Sequence, residues 1–271
     1  MTDCRDRAGG SVKLGGVNPI RTRDRGWLRA LGGVTGPAGR LVCFPHSGGS
    51  AATYRAWSPA MPGDMELLAA QYPGHADRIA EAPAGSIAEI GAHVARELSR
   101  LDPARCVLFG HSLGALVAYE TARAMRDLGT PPRALFLSGA PAPLAAGGGT
   151  THRADDEELW QALRDLGGIA PEIADDPELR ELLLPVLRSD ITLHETYRPP
   201  AGAEPLDCRI RCYHNTGDPL VDAARAGAWD AVAAGRFDVR ALPGGHFRFL
   251  SHPAELIDDI TAVLAESEVL R

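Results

Sequence analysis

Short apolar runs that alternate with helical patterns constrain the fold of this chain more than any other feature. The runs are Leu41 to Phe44, Leu67 to Ala70, Cys106 to Phe109, Ala134 to Ser138, Ile210 to Tyr213 and Phe237 to Leu242. Such alternation is the signature of βαβ units, so it predicts an α/β fold with a largely parallel central sheet flanked by helices. Between the second and third runs, Ser86 and Glu89 have capping-box spacing, and Ile87, Ile90, Val94, Leu98 and Leu101 form an apolar stripe. A second helix is predicted over Ala115 to Leu128, stopped by Gly129 and the Pro131-Pro132 pair. A last one follows Pro253, with Leu256, Ile257, Ile260 and Leu264 as its buried face. The 271 residues suit a single domain over residues 26–271, with residues 1–25 as a mobile tail.

One segment breaks the rhythm. Ala154 to Arg198 holds twelve acidic and four basic residues and no strand-like run. Its leucines recur at helical spacing: Leu159, Leu163 and Leu166, then Leu179, Leu182, Leu183, Val186 and Leu187. Two or more amphipathic helices are expected within an insert at about 144–200. It is either an ordinary crossover with solvated charges or, being too long for a minimal crossover, a mobile helical lid over a site.

Charge and cysteine usage narrow the function classes. With 35 acidic and 28 basic residues the net charge is −7, which excludes a nucleic-acid-binding surface that dominates the molecule. The five cysteines lie mostly inside apolar runs, as reduced buried thiols do, so the cytoplasm is the expected compartment. The basic N-terminus lacks the apolar run of a secretory signal, and the longest uncharged stretch, Ala134 to His152, is broken by Pro141, Pro143 and Gly147 to Gly149; no membrane association is expected. Walker, G-x-G-x-x-G and H-E-x-x-H patterns are missing, and Cys208 and Cys212 have no partner pair nearby, so neither a cofactor nor a metal is expected. A monomer is favoured.

Gly110-His111-Ser112-Leu113-Gly114 stands between the third strand and the helix after it. A serine on such a tight strand-to-helix turn projects its hydroxyl above the sheet edge, and the helix N-terminus beneath favours developing negative charge. Ser112 is therefore the candidate nucleophile. A serine hydroxyl needs a base to take its proton. His246, in Pro243-Gly244-Gly245-His246-Phe247 after the final strand, is that candidate; His75, His93, His152 and His194 read as solvated rings and His46 as a loop-organising residue. The orienting carboxylate should follow the strand before, where Asp218 in Asn215-Thr216-Gly217-Asp218-Pro219 is preferred over Asp222 and Asp207. Pro45-His46-Ser47-Gly48-Gly49, after the first strand, supplies a backbone N–H, that of Ser47, to pair with the N–H of Leu113 as an oxyanion hole.

The chain resembles the type II thioesterases that accompany polyketide synthases and nonribosomal peptide synthetases. The resemblance rests on Leu41 to Gly49, Gln71-Tyr72-Pro73-Gly74-His75, Phe109 to Ala115, Leu166-Gly167-Gly168, Leu182-Leu183-Leu184-Pro185 and Pro243 to Phe247, and it runs from about Trp27 to the C-terminus. It implies an α/β-hydrolase fold with Ser112, His246 and Asp218 as nucleophile, base and acid, and Ser47 and Leu113 as oxyanion donors. It differs from the family in Ser47, where Ala is common, and in the turn around Asp218. The activity it implies is hydrolysis of acyl groups, often aberrant ones, from the phosphopantetheine arm of acyl or peptidyl carrier proteins. Docking of such an acidic partner points to Arg123, Arg126 and Arg133 or to Arg236, Arg240 and Arg248. The rival readings are a carboxylesterase on small free esters and a non-catalytic carrier-binding module.

Overall fold

The structure is a computed structural model that describes residues 26–101, 106–169 and 175–269; the expected N-terminal tail lies outside them. Seven strands form one sheet: β1 (Leu28–Ala30), β2 (Gly39–Phe44), β3 (Met65–Ala70), β4 (Cys106–His111), β5 (Ala134–Ser138), β6 (Arg209–Asn215) and β7 (Phe237–Leu242). Their order is β1-β3-β2-β4-β5-β6-β7, with β1 antiparallel to β3 and every other pairing parallel. The six apolar runs are all strands. Only β1, three residues long and carrying Arg29, gives no run that a sequence reading can detect.

The pleat sorts each strand between two cores. Val42, Phe44, Leu108, Leu135 and Leu137 join one apolar cluster, while Leu41, Cys43, Val107, Phe109 and Phe136 join the other. The first cluster is closed by α1 (Ile87–Leu98) and α2 (Leu113–Asp127). Ile87, Ile90, Val94 and Leu98 are buried as expected, and each such side chain contributes about 1.5–3 kcal/mol by leaving water. Ser86 caps α1 by accepting the Glu89 N–H at 3.1 Å, but the Glu89 carboxylate turns back to the Gly85 N–H at 2.8 Å instead of to Ser86 itself. At the far end of α2, Gly129 takes φ +74° while Thr130 N–H bonds the Met125 carbonyl and Gly129 N–H that of Arg126, the paired bonds of a Schellman stop.

Between β5 and β6 lie α3 (Asp156–Asp165) and α4 (Pro177–Thr196). They share a small apolar cluster of Leu159, Trp160, Leu163, Leu184 and Leu187. The expected stripe was partly misplaced: Leu179 and Leu182 are exposed, and Leu184 takes their place. The reason is that the apolar contact of α4 with α3 begins in its second turn, along Leu184, Leu187 and Ile191, while its first turn meets α3 through Arg180. Much of the acidity is paired across the surface, Arg188 with Asp156, Arg180 with Glu157 and Arg164 with Asp175, contacts worth about 0–1 kcal/mol each.

The second sheet face is covered by the 3-10 segment Ala51–Ala60 and by the last helices. After α5 (Ala223–Gly227) and α6 (Arg248–Ser251), α7 (Pro253–Val269) buries Leu256, Ile257, Ile260 and Leu264, the face read from the sequence. No helix among the described residues is long and apolar enough to cross a membrane.

α1 packs closely on α2 at Gly91, where an added Cβ would stand 2.8 Å from the Glu120 carbonyl carbon and 2.9 Å from the Thr121 nitrogen. Gly91→Ala gains about 1 kcal/mol of helix propensity but must push α1 off the backbone of α2, an overpacking cost of about 1–3 kcal/mol. The expected outcome is a lower urea midpoint with an unchanged m-value; a midpoint above that of the parent would contradict this packing.

Candidate active site

Ser47, Ser112, Asp218 and His246 lie in the turns at the carboxyl ends of β2, β4, β6 and β7. At the end of β4 the backbone of Ser112 lies at φ +54°, ψ −123°, a region that side chains other than glycine avoid. Two close approaches hold it there. A Cβ on Gly110 would strike the Gly114 carbonyl, and one on Gly114 would strike the carbonyl of Phe44, so the turn can fold this tightly against β2 only with hydrogen at both positions. Ser112 N–H bonds the Ser138 carbonyl at 2.8 Å, tying the elbow to β5. The N–H of Leu113 opens α2, where no helical carbonyl precedes it to accept.

Asp218 and His246 meet across the turns after β6 and β7. His246 Nδ1 lies 2.7 Å from Asp218 Oδ2, and both side chains are 1% exposed. A carboxylate oxygen accepts, so Nδ1 donates and Nε2 keeps its lone pair. That Nε2 is buried and has no hydrogen-bond partner among the described residues. The ring sits against His111, centroid to centroid 4.6 Å, directly before Ser112 in the chain. Gly217 N–H to the Gly244 carbonyl at 2.9 Å and Thr216 N–H to the Leu242 carbonyl at 2.8 Å lash the two turns together. Of the rival acids, Asp222 caps α5 through the Arg225 N–H and is exposed, and Asp207 is exposed as well.

The loop after β2 is fixed one peptide at a time. Tyr72 Oη donates to the Pro45 carbonyl at 3.1 Å, Gly49 N–H to the His46 carbonyl at 2.9 Å, and Gly48 N–H to Asp190 Oδ2 of α4 at 2.7 Å. Gly48 takes φ +76°, and a Cβ there would also run into Leu187 of α4. The segment between β5 and β6 reaches the site from a second side too, since a Cβ on Gly168 would come within 3.1 Å of the Phe247 ring.

His75, expected as a solvated ring, is instead 4% exposed, with Nδ1 at 3.0 Å from the Pro73 carbonyl and Nε2 at 2.9 Å from Asp190 Oδ2. Burial opposes its charge, yet the hydrogen bond and charge of Asp190 and the Pro73 carbonyl outweigh burial and Arg78, holding its pKa above the ordinary value. His46 packs edge-on against Phe247 and Phe249. Burial, with repulsion from His246 and His75, pushes it down to about 4. His111 is lowered by burial, then by His246 and His46. His194 of α4 lies close enough to His246 to feel its charge: burial takes it down to about 4, Glu195 opposing and His246 assisting. His246 thus stands among imidazoles whose protonation burial disfavours.

Asp190 and His194 carry no motif, and His75 only closes the Gln71-to-His75 stretch, where nothing marks it for a buried contact. The available signals were positional: His75 follows a strand at the sheet's carboxyl edge, and Asp190 is an acid three residues beyond Leu187 on a helix face that is otherwise apolar. No group of three or more His, Cys, Asp and Glu side chains among the described residues is arranged to hold a metal ion.

Comparison with known proteins gives consistent neighbours. Residues 39–264 match the family model described as a thioesterase domain. Thioesterase PikA5 of Streptomyces venezuelae is 36% identical over 248 residues, covering 90% of this chain and 87% of that one. The solved type II thioesterase BorB from the borrelidin biosynthetic cluster superposes with a TM-score of 0.80 at 37% identity, covering 87% of this chain and 96% of the other. YbtT, a type II thioesterase of the yersiniabactin NRPS/PKS pathway, gives 0.80 at 28% identity, covering 87% and 97%. The fold is that of the α/β-hydrolases, with the mostly parallel sheet and flanking helices expected of it.

The neutral rings make stability pH-dependent. His46 ionises at 6.5 when unfolded and at about 4 when folded, so between those values the unfolded chain binds the extra proton, and the stability present above pH 6.5 is lost as the pH falls. His111 and His194 act in the same direction; His75, raised in the fold, opposes them. His46 alone accounts for about 2 kcal/mol by about pH 5. Urea unfolding is expected to give a lower midpoint at about pH 5 than at about pH 7.5, and an equal or higher midpoint would refute the neutral cluster.

Proposed function

The chain belongs to the thioesterase family, as a type II thioesterase of the polyketide and nonribosomal peptide kind, and we propose that Ser112, His246 and Asp218 perform its thioester hydrolysis. The substrate is an acyl group, often an aberrant one, on the phosphopantetheine arm of an acyl or peptidyl carrier protein. The observation that carries the assignment of roles is the 2.7 Å bond from His246 Nδ1 to Asp218, which leaves a buried, unpartnered Nε2 beside the Ser112 elbow.

Ser112 Oγ attacks the thioester carbonyl carbon as His246 Nε2 takes its proton, and Asp218 stabilises the imidazolium that results. The carbonyl oxygen gains the electron pair and rests on the N–H groups of Ser47 and Leu113, the positive end of α2 adding to the second. Collapse expels the pantetheine sulfur, which receives the proton from His246, and leaves an acyl ester on Ser112. Water then gives its proton to His246 and attacks the ester; the serine recovers the proton, and the free acid departs.

The segment at about 144–200 forms the lid over this site, its support being the contacts of Leu187, Asp190 and Gly168 with the two catalytic loops. The arginines nominated for carrier docking gain no support. Arg123 pairs with Glu120, Arg126 with Asp127, Arg236 with Glu266, Arg240 with Asp259 and Arg248 with Glu255, while Arg133 bonds the Leu264 carbonyl. A carrier would meet a largely neutralised surface there. The described cysteines are all free and mostly buried, in keeping with a reducing cytoplasm.

The test is intact-mass analysis of an acylated carrier protein. Wild type is expected to strip the acyl group and Ser112→Ala to leave it; retention in both samples would overturn the assignment. Asp218→Asn should lower kcat by about a thousandfold or more, since the neutral amide no longer fixes the tautomer or balances the imidazolium.

A further inference from the structure

Asp190 is 2% exposed and His75 4%, and they meet although 115 residues separate them, one from α4 and one from the turn after β3. Both His75 nitrogens face oxygens that only accept, the Pro73 carbonyl and the Asp190 carboxylate. Nδ1 therefore donates to the Pro73 carbonyl, and the contact with Asp190 raises the ring's pKa and favours a paired imidazolium closed off from water. The same Asp190 oxygen accepts the Gly48 N–H. Other charged or titratable groups border His75: Tyr72, whose ring meets it edge-on at 5.7 Å, Arg78 in its own turn and His46 in the loop after β2.

A peptide unit is planar, so holding its carbonyl fixes the direction of its N–H. Gly49 holds the His46 carbonyl and hence the plane carrying the Ser47 N–H, and Asp190 holds the next plane through Gly48. The tethers from Tyr72 and Gly49 come from loops at the sheet edge; the one from Asp190 comes from α4. Leu187, one turn before Asp190, occupies the space where Gly48 would carry a Cβ. We infer that α4 completes the oxyanion apparatus: the Asp190–His75 pair, with Leu187, positions the Gly48 peptide and through it the N–H of Ser47. Asp190 and His75 are thus positioning residues for the reaction, and the oxyanion loop is fully ordered only when α4 is seated. This rests on the reading of Ser47 as an oxyanion donor.

Steady-state hydrolysis of a small acyl-pantetheine thioester, in which carrier docking plays no part, tests it. Asp190→Ala is expected to lower kcat about tenfold to a hundredfold, less than the loss of a whole donor, with KM within about threefold. Asp190→Asn keeps an oxygen for Gly48 and should recover much of that loss, which a merely structural role would not predict. Should Asp190→Ala fail to fold, the double variant His75→Leu with Asp190→Val decides, because removing both charges leaves none unpaired in the interior while still denying Gly48 its acceptor. A folded Asp190→Ala or double variant with kcat within twofold of wild type overturns the inference, as does a loss carried by KM or an Asn variant no better than Ala. In each of those cases an active wild type and an inactive Ser112→Ala would leave the assignment of the nucleophile standing; an inactive wild type would remove both.

Discussion

The site depends on one backbone conformation, that of Ser112 at φ +54°. A residue with a side chain held there stores strain of about 1–3 kcal/mol, and it stays only because its surroundings leave no alternative. Those surroundings are Gly110 and Gly114 in direct backbone contact, the Phe44 carbonyl pressed against the turn, and the bond from Ser112 N–H to Ser138. Relaxing the turn would require moving β2, β4 and β5 apart, three strands whose side chains fill both cores. The sheet therefore supplies the rigidity, and the serine is displayed as a consequence of it.

From that fixed point the other groups are arranged by loops that hold one another. The turns after β6 and β7 are bonded backbone to backbone, so Asp218 and His246 move as one unit. The loop after β2 is held by the turn after β3 and by α4. Burial lowers the pKa values of His46, His111 and His194, the rings grouped around His246, and so favours their neutral forms. His75, whose pKa the fold raises, is paired with Asp190.

Most of the architecture was legible because it follows from local rules. The strand runs, the stripe of α1, the Gly129 stop and the buried face of α7 each needed only periodicity or turn chemistry. The pairing of Asp218 with His246 was legible for another reason: the fold places strand ends together, so motifs that follow neighbouring strands predict proximity without any knowledge of packing. What escaped depended on contacts distant in sequence. β1 is a strand only because β3 pairs with it. Leu184 rather than Leu179 is buried because of where α3 happens to cross. His75 and Asp190 are ordinary polar residues until tertiary structure removes water from both.

The two borders of the sheet, β1 and β7, have a consequence for how the molecule behaves in a crowded solution. An open strand offers unpaired amides to any neighbouring chain, and long, flat, greasy borders seed aggregates. Here one border is a three-residue strand with Arg29 engaged by Asp77, and the other carries Asp238 and Arg240 in ion pairs, with Arg236 just before it. Neither offers a smooth template for a foreign strand to zip onto, which disfavours growth of the sheet from one copy into the next.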